Sequence, residues 1–347
     1  MAQRMLIGGH VGVVANAPGM SGFAVAVLLA MSAVCATLVV GWSEISQWLP
    51  TVCSHWLGDV LPGRGCVAGV GKIFTYAWIL AVLPLVLLIE WWRPAAPTQA
   101  LFSPALLVDM LWFITFPVLG VWLPTVFGDL LNATLGHAVV DFRLQTVAAV
   151  PLAMQFVVVI LLSDFLSWLG HYIRHKVPVF WEFHKIHHSQ SQLNYFSARR
   201  NHPLDLLTNT LIRFLPWTLL GLDLALPGFV IWRTVNGVYE MFVHANIRTN
   251  LGLLRYVLVT PQTHRVHHSL QPEHMDKNFG NFFAIWDFLF RTQCMDFKVY
   301  PALGVTDANC PRGQAKTLPE ALRVFASELM YPLRTLAAHL RLPVRVR

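Results

Sequence analysis

The residues in this chain best suited to chemistry are histidines, and ten of its fifteen lie between positions 171 and 268. His171 and His175 stand four apart in HYIRH, with Asp164 seven residues upstream of the first. At 3.6 residues per turn the three share one helical face. His184, His187 and His188 in HKIHH repeat the device at i, i+3 and i+4, and His264, His267 and His268 in HRVHH repeat it again. Single histidines, His202 in NHP and His244 in VHAN, lie between. Imidazole nitrogen is the commonest protein ligand for transition metals. One histidine is ordinarily a core or surface residue, but two His-x-x-His-His groups beside a His-x-x-x-His predict a metal site.

The elements that must position these rings are apolar helices. The chain is 55% hydrophobic and only 12% charged over 347 residues, against about 25% charged in soluble domains. An integral, multi-pass membrane protein is expected. Four runs, Phe23–Trp42, Ile73–Ile89, Leu111–Phe127 and Val147–Ser163, meet the roughly 17–25 helical residues that a hydrocarbon core requires. The first lies too far from the start to read as a cleaved leader. Of the connections between runs, 43–72 and 128–146 carry only Arg64, Lys72 and Arg143, while most of the net charge of +7 follows the fourth run. The positive-inside rule then puts the histidine-rich half on the cytoplasmic side. Lys and Arg are dispersed among apolar segments, so no nucleic acid is expected as a partner. Anionic lipid headgroups suit this balance better.

Other segments are read more coarsely. Residues 1–22 form an arm, and Glu44–Leu49 a short helix in the outside loop. Asp109 is expected at the cytoplasmic boundary of the third run, facing headgroups. The stretch from Asp205 to Val230 is broken by Pro216, Gly221 and Pro227, which predicts a helical hairpin or two short helices against the site. A helical pattern resumes at Ile231–His244, Asn278–Arg291 is amphipathic and aromatic, and Pro319–Leu340 reads as an amphipathic helix with Arg323, Arg334 and Arg341 at the membrane interface. The five cysteines, Cys35, Cys53, Cys66, Cys294 and Cys310, form no Cys-x-x-Cys pair, so neither a zinc ribbon nor an iron–sulfur cluster is supported. Cys53 and Cys66 share the predicted outside loop, where a disulfide and two free thiols are both open readings.

Taken in order, Asp164 with HYIRH, then WEFHKIHHS, NHPLD, FVHANI, TPQTHRVHHS and NFGNFFAIWDFLF resemble the fatty acid hydroxylase/sterol desaturase superfamily of membrane di-iron enzymes. The likeness covers residues 105–295, flanked by 1–104 with the arm and two membrane helices and by 296–347 as an amphipathic tail. It implies an all-α membrane protein of about four transmembrane helices with a cytoplasmic helical cap. It also implies two iron ions, dioxygen as co-substrate, and hydroxylation or desaturation of a membrane lipid. By the same resemblance the ligands are His171, His175, His184, His187, His188, His264, His267 and His268, with His202 and His244 as intermediate ones. Where some members have a further histidine, three residues before His-Pro, this chain has Arg199.

Chemistry argues in the same direction. An unactivated C–H bond requires a strong oxidant, and dioxygen needs a redox metal to provide one, which favours iron over zinc. Carboxylates should then sit behind the imidazoles, and Asp164 is expected to accept a ligand N–H and set its tautomer. No haem or ferredoxin motif is present, so electrons are expected from a separate ferredoxin or cytochrome, docking on Lys176, Lys185, Arg199 and Arg200. Two rivals remain. A zinc hydrolase would want a carboxylate base as in His-Glu-x-x-His, and a metal transporter would place ionisable groups at mid-membrane. Hydroxylation is expected ahead of desaturation.

Overall fold

The computed structural model describes residues 64–117, 152–219 and 227–341, with Ala33, Thr37 and Gly41. Apart from those three residues, the run Phe23–Trp42 lies outside, as do the helix at Glu44–Leu49, Cys53, residues 118–127 of the third run and 147–151 of the fourth. Among the described residues the chain is helical, with three isolated bridges in place of a sheet.

Helix α1, Arg64–Trp92, begins well before Ile73. The expected loop is therefore shorter than 43–72, and Cys66 stands on the helix. Gly69 and Gly71 suggest a loop, yet glycine is common in membrane helices, where water does not compete for the backbone. Within α1, Ile73–Trp92 is long and apolar enough to cross a membrane. Its outer surface exposes Ile73, Leu80, Leu85, Leu88, Trp91 and Trp92. Helix α2, Leu106–Pro117, is a shorter apolar segment, and α3, Leu152–Lys176, carries the apolar run into HYIRH.

At Val177 the chain turns, with Pro178 in the first position of α4, Pro178–His188. Proline is tolerated there because the first-turn N–H has no helical partner. The turn folds the second histidine group back against the first. A 3₁₀ turn at Tyr195–Arg199 precedes α5, Pro203–Leu219. Next comes α6, Pro227–His244, so the broken apolar stretch resolves into two helices. Helix α7, Pro261–His267, is only seven residues long but tightly begun: Thr260 and Thr263 form a reciprocal cap ahead of Pro261. The aromatic stretch Asn278–Arg291 is helical only at α8, Ile285–Leu289. The chain closes with α9, Leu318–Arg341.

One boundary expectation is corrected. Asp109 does not face headgroups: it is fully buried and accepts from Gln190 Nε2 at 3.1 Å, Asn194 Nδ2 at 2.7 Å, Ser197 Oγ at 2.6 Å and Arg200 Nη1 at 3.1 Å. The last helix has a buried side as well. Its Glu328, also fully buried, pairs with Arg200 and receives Trp112 Nε1 at 2.7 Å, while Phe325 packs on Trp112 with ring centroids 4.6 Å apart. Gly313, at φ +62°, closes over the same arginine, and a Cβ there would lie 2.3 Å from Arg200 Nη1. Charges taken out of water persist only when paired and hydrogen-bonded, and Arg200 has both, which ties α9 to the helices beneath.

Candidate metal centre

Nine of the ten histidines converge. His171 and His175 from α3, His184 and His188 from α4 and His267 from α7 form one group, each offering a ring nitrogen, all within 4.8 Å of one another. His187 from α4, His244 from α6, His264 from α7 and His268 at its end form a second group within the same limit. The groups adjoin, with the rings of His188 and His268 stacked at 4.3 Å and those of His184 and His187 at 5.2 Å. The alternation within His-x-x-His-His thus has a purpose. His184 and His188, one turn apart, face the first group, and His187 faces the second.

The nitrogens fit metal ions. In the first group the Nε2 atoms of His171, His175, His184, His188 and His267 are buried without a partner. In the second, Nε2 of His244 lies 3.2 Å from that of His187 and 2.9 Å from that of His264, which lies 3.2 Å from that of His268. Burial pushes the pKa of all nine rings down, well below the ordinary value for most and to about 4 for His244 and His267. Neutral rings aim lone pairs inward, and converging lone pairs out of water are satisfied by a cation.

Behind the rings, backbone carbonyls do much of the orienting. His171 Nδ1 donates to Phe279 O at 2.9 Å, His267 Nδ1 to Lys277 O at 2.8 Å and His244 Nδ1 to Glu240 O at 2.7 Å. Each bond places the proton on Nδ1 and leaves Nε2 free to ligate. His184 Nδ1 donates instead to Asp205 Oδ2 at 3.1 Å, an oxygen it shares with Arg174 Nη1 at 3.0 Å. Asp205 closes the NHPLD motif, but the pattern marks the histidine there and assigns the carboxylate no role. It looks like an ordinary acidic residue in the first turn of α5, and only the fold brings it to His184.

Asp164 acts one link further out than expected. Its carboxylate receives Phe282 N and Phe283 N, both at 3.1 Å, and Trp286 Nε1 at 2.9 Å. Asp287, on α8, receives Phe279 N at 2.9 Å, Gly280 N at 2.7 Å and Trp168 Nε1 at 3.0 Å. Two buried carboxylates therefore hold the loop whose carbonyls orient His171 and His267. They also explain why the aromatic stretch is mostly not helical, since its N–H groups bond carboxylates. Gly280 is required there: a Cβ would lie 2.8 Å from Phe283 O and 2.9 Å from Asp287 Oδ2.

His202 is not brought to either group. Its Nε2 donates to Leu329 O on α9 at 3.1 Å and its Nδ1 accepts from Leu204 N at 3.2 Å, so both nitrogens are engaged. Three expected docking cations are also elsewhere. Arg199 and Arg200 are buried, one against Glu240 and the other between Asp109 and Glu328, and Lys185 is buried against Glu182. Lys176 remains at the surface, paired with the exposed Asp276.

Comparison with known proteins gives a consistent result. Alkylglycerol monooxygenase of Caenorhabditis elegans is 33% identical over 135 residues, 38% of this chain and 25% of that protein. The Homo sapiens enzyme of the same name is 31% identical over 129 residues, 37% of this chain and 28% of the relative. Ornithine lipid hydroxylase OlsE of Rhizobium tropici is 31% identical over 142 residues, 41% of this chain and 42% of the relative. The matches thus span about a quarter to two fifths of these relatives. No solved structure matches the chain. Residues 156–292, which contain both histidine groups, match the sequence profile of the fatty acid hydroxylases.

Proposed function

We propose that the protein is a di-iron oxygenase that uses dioxygen to hydroxylate an alkyl carbon of a membrane lipid. The observation that carries this reading is the pair of adjoining, buried, all-histidine groups with inward-facing nitrogens. Nine histidines, five and four, would hold the two ions, with His202 outside the set. Two irons supply the redox capacity to activate dioxygen, which zinc lacks. The overall reaction puts one oxygen atom into the C–H bond and the other into water, consuming two protons and two electrons from a separate ferredoxin or cytochrome. The chain's own contribution is to hold neutral rings in the ligating tautomer and to keep bulk water from the site.

Among the described residues neither group contains a carboxylate. That composition disfavours a metal hydrolase, which needs a base beside its metal. The relatives named for alkylglycerol and ornithine lipid support a lipid as substrate. We place the centre on the cytoplasmic side of a bundle of about four spans, with Ile73–Trp92 and the start of α3 among them. Desaturation is the second outcome of the same chemistry, since removing a second hydrogen from the neighbouring carbon gives an alkene. Pocket geometry, worth about a hundredfold per ~1 Å of misplacement, decides between them.

Anaerobic reconstitution should bring the purified protein close to two irons per chain. One tightly held zinc without iron dependence would refute the assignment. With ¹⁸O-dioxygen and lipid extract, a hydroxylated product carrying the label is expected, and an unlabelled product two hydrogens lighter would overturn hydroxylation while leaving the metal assignment standing.

A further inference from the structure

Among the described residues, helix α9 has a face that the fold does not use. Its inner side, with Ala321, Glu328 and Tyr331 buried, packs on α2 and α4. On the other side Leu318, Leu322, Met330 and Leu333 are 56%, 50%, 43% and 42% exposed. At 3.6 residues per turn these four fall within an arc of about 120°, with Ala326 and Ala337 filling it, both exposed. Arg323 and Arg334, also exposed, follow about 20° and 40° beyond Met330, forming a row along one edge of the stripe. Among the described residues neither arginine has an ion pair, and Glu320 caps Lys316 N instead. Arg323 also lines, with Arg312, Gln314 and Ser327, a recess of about 280 Å³.

We propose that this face of α9 lies in the membrane interface and binds anionic lipid, its leucine stripe in the acyl boundary and its arginines on headgroup phosphate. Two observations select that occupant. One is charge, since an apolar stripe with a row of unpaired arginines along its edge complements an acidic headgroup layer above hydrocarbon. The other is continuity. Helix α2, on which α9 is seated through Trp112, exposes Met110 and Ile114 at 39% and 61%, with Phe102 at 78% just before it. The helix that seats α9 thus itself presents apolar residues outward, in a segment expected to enter the bilayer. Arg200 and Lys185 fasten the same helix to α4, which carries three of the clustered histidines. The surface that touches lipid is therefore one rigid step from the metal groups.

The inference rests on the membrane embedding proposed above, and its test separates the two. The full chain is reconstituted in nanodiscs with trace photoactivatable lipids, one carrying the diazirine on its acyl chain, the others on a phosphatidylglycerol or phosphatidylcholine headgroup, and adducts are mapped by mass spectrometry. Acyl adducts on α1 report embedding. The acyl probe is expected to label Leu322, Met330 or Leu333, and the phosphatidylglycerol probe to label the region of Arg323 and Arg334 several-fold more than the choline probe. The doubly substituted Arg323→Gln, Arg334→Gln chain should lose that preference, by roughly fivefold per arginine, with α1 labelling unchanged. Labelled α1 with no adduct between 318 and 341 would overturn the proposal, as would equal labelling by both headgroups or cross-linking of α9 to a second copy of the chain.

Discussion

Replacing Asp205 with asparagine tests the architecture behind the first metal group. In the parent, one carboxylate oxygen accepts from Arg174 at 3.0 Å and from His184 at 3.1 Å, and both residues are almost fully buried. Asparagine keeps the shape but removes the charge. The guanidinium of Arg174, whose side chain is 9% exposed, is left without its counter-ion, and stranding a buried charge costs about 3–5 kcal/mol. The retained amide oxygen should place the loss near ~3 kcal/mol, since it still accepts one hydrogen bond. Separately, His184 loses an anionic acceptor. Removing such a partner of a ligating histidine typically lowers metal affinity by about 10–100-fold. The two effects separate in a cycle with Arg174→Gln. The double variant should recover part of the thermal stability of the metal-free protein, because no charge is stranded, but none of the iron affinity, measured by chelator competition after anaerobic loading. If Asp205→Asn bound iron within about threefold of the parent, the claim that this carboxylate positions a ligand would fail. A double variant as unstable as the sum of the singles would show that Arg174 and Asp205 are not energetically coupled.

Protons should also act on the metal-free protein. His244 and His267 have folded pKa values near 4, below the ordinary ~6.5 of an unfolded chain. Between those values the folded form binds fewer protons than the unfolded one, so stability rises with pH. The metal-free protein should melt at a lower temperature at pH 5 than at pH 7 in the same detergent, and no shift would show that the rings are not buried neutral. His202→Ala should keep the full metal content of the parent while losing about 1 kcal/mol with its bond to Leu329; a clear fall in bound iron would return it to the ligand set. Gly313→Ala puts a methyl 2.3 Å from a guanidinium held by Asp109 and Glu328. Displacing that arginine should lower stability by about 3–5 kcal/mol, read as a large drop in the thermal midpoint, and a variant within 1 °C of the parent would contradict the packing described.

The histidine spacing by itself settled much of this protein. Rings at i, i+3 and i+4 on short helical turns must share a side whatever the surroundings, because the period of the helix is local. So the motifs at 171–175, 184–188 and 264–268, and the apolar helix leading to the first, were legible without coordinates. So was α9, whose apolar and charged positions alternate with a helical period over 24 residues. Tertiary structure decided the partition. That His187 turns to one group while His184 and His188 turn to the other depends on where α6 and α7 pack, and nothing in HKIHH encodes it. His202 sits in a motif as suggestive as the rest, yet α9 claims its Nε2. Buried charge was the least legible feature. Arg199, Arg200, Lys185 and Asp109 read as surface residues because charged groups stay in water unless a partner is supplied. Those partners, Glu240, Glu328, Glu182 and Arg200, come mostly from distant parts of the chain. Backbone carbonyls such as those of Lys277 and Phe279 leave no trace in side-chain identity at all, so the groups that orient His267 and His171 become visible only once the chain is folded.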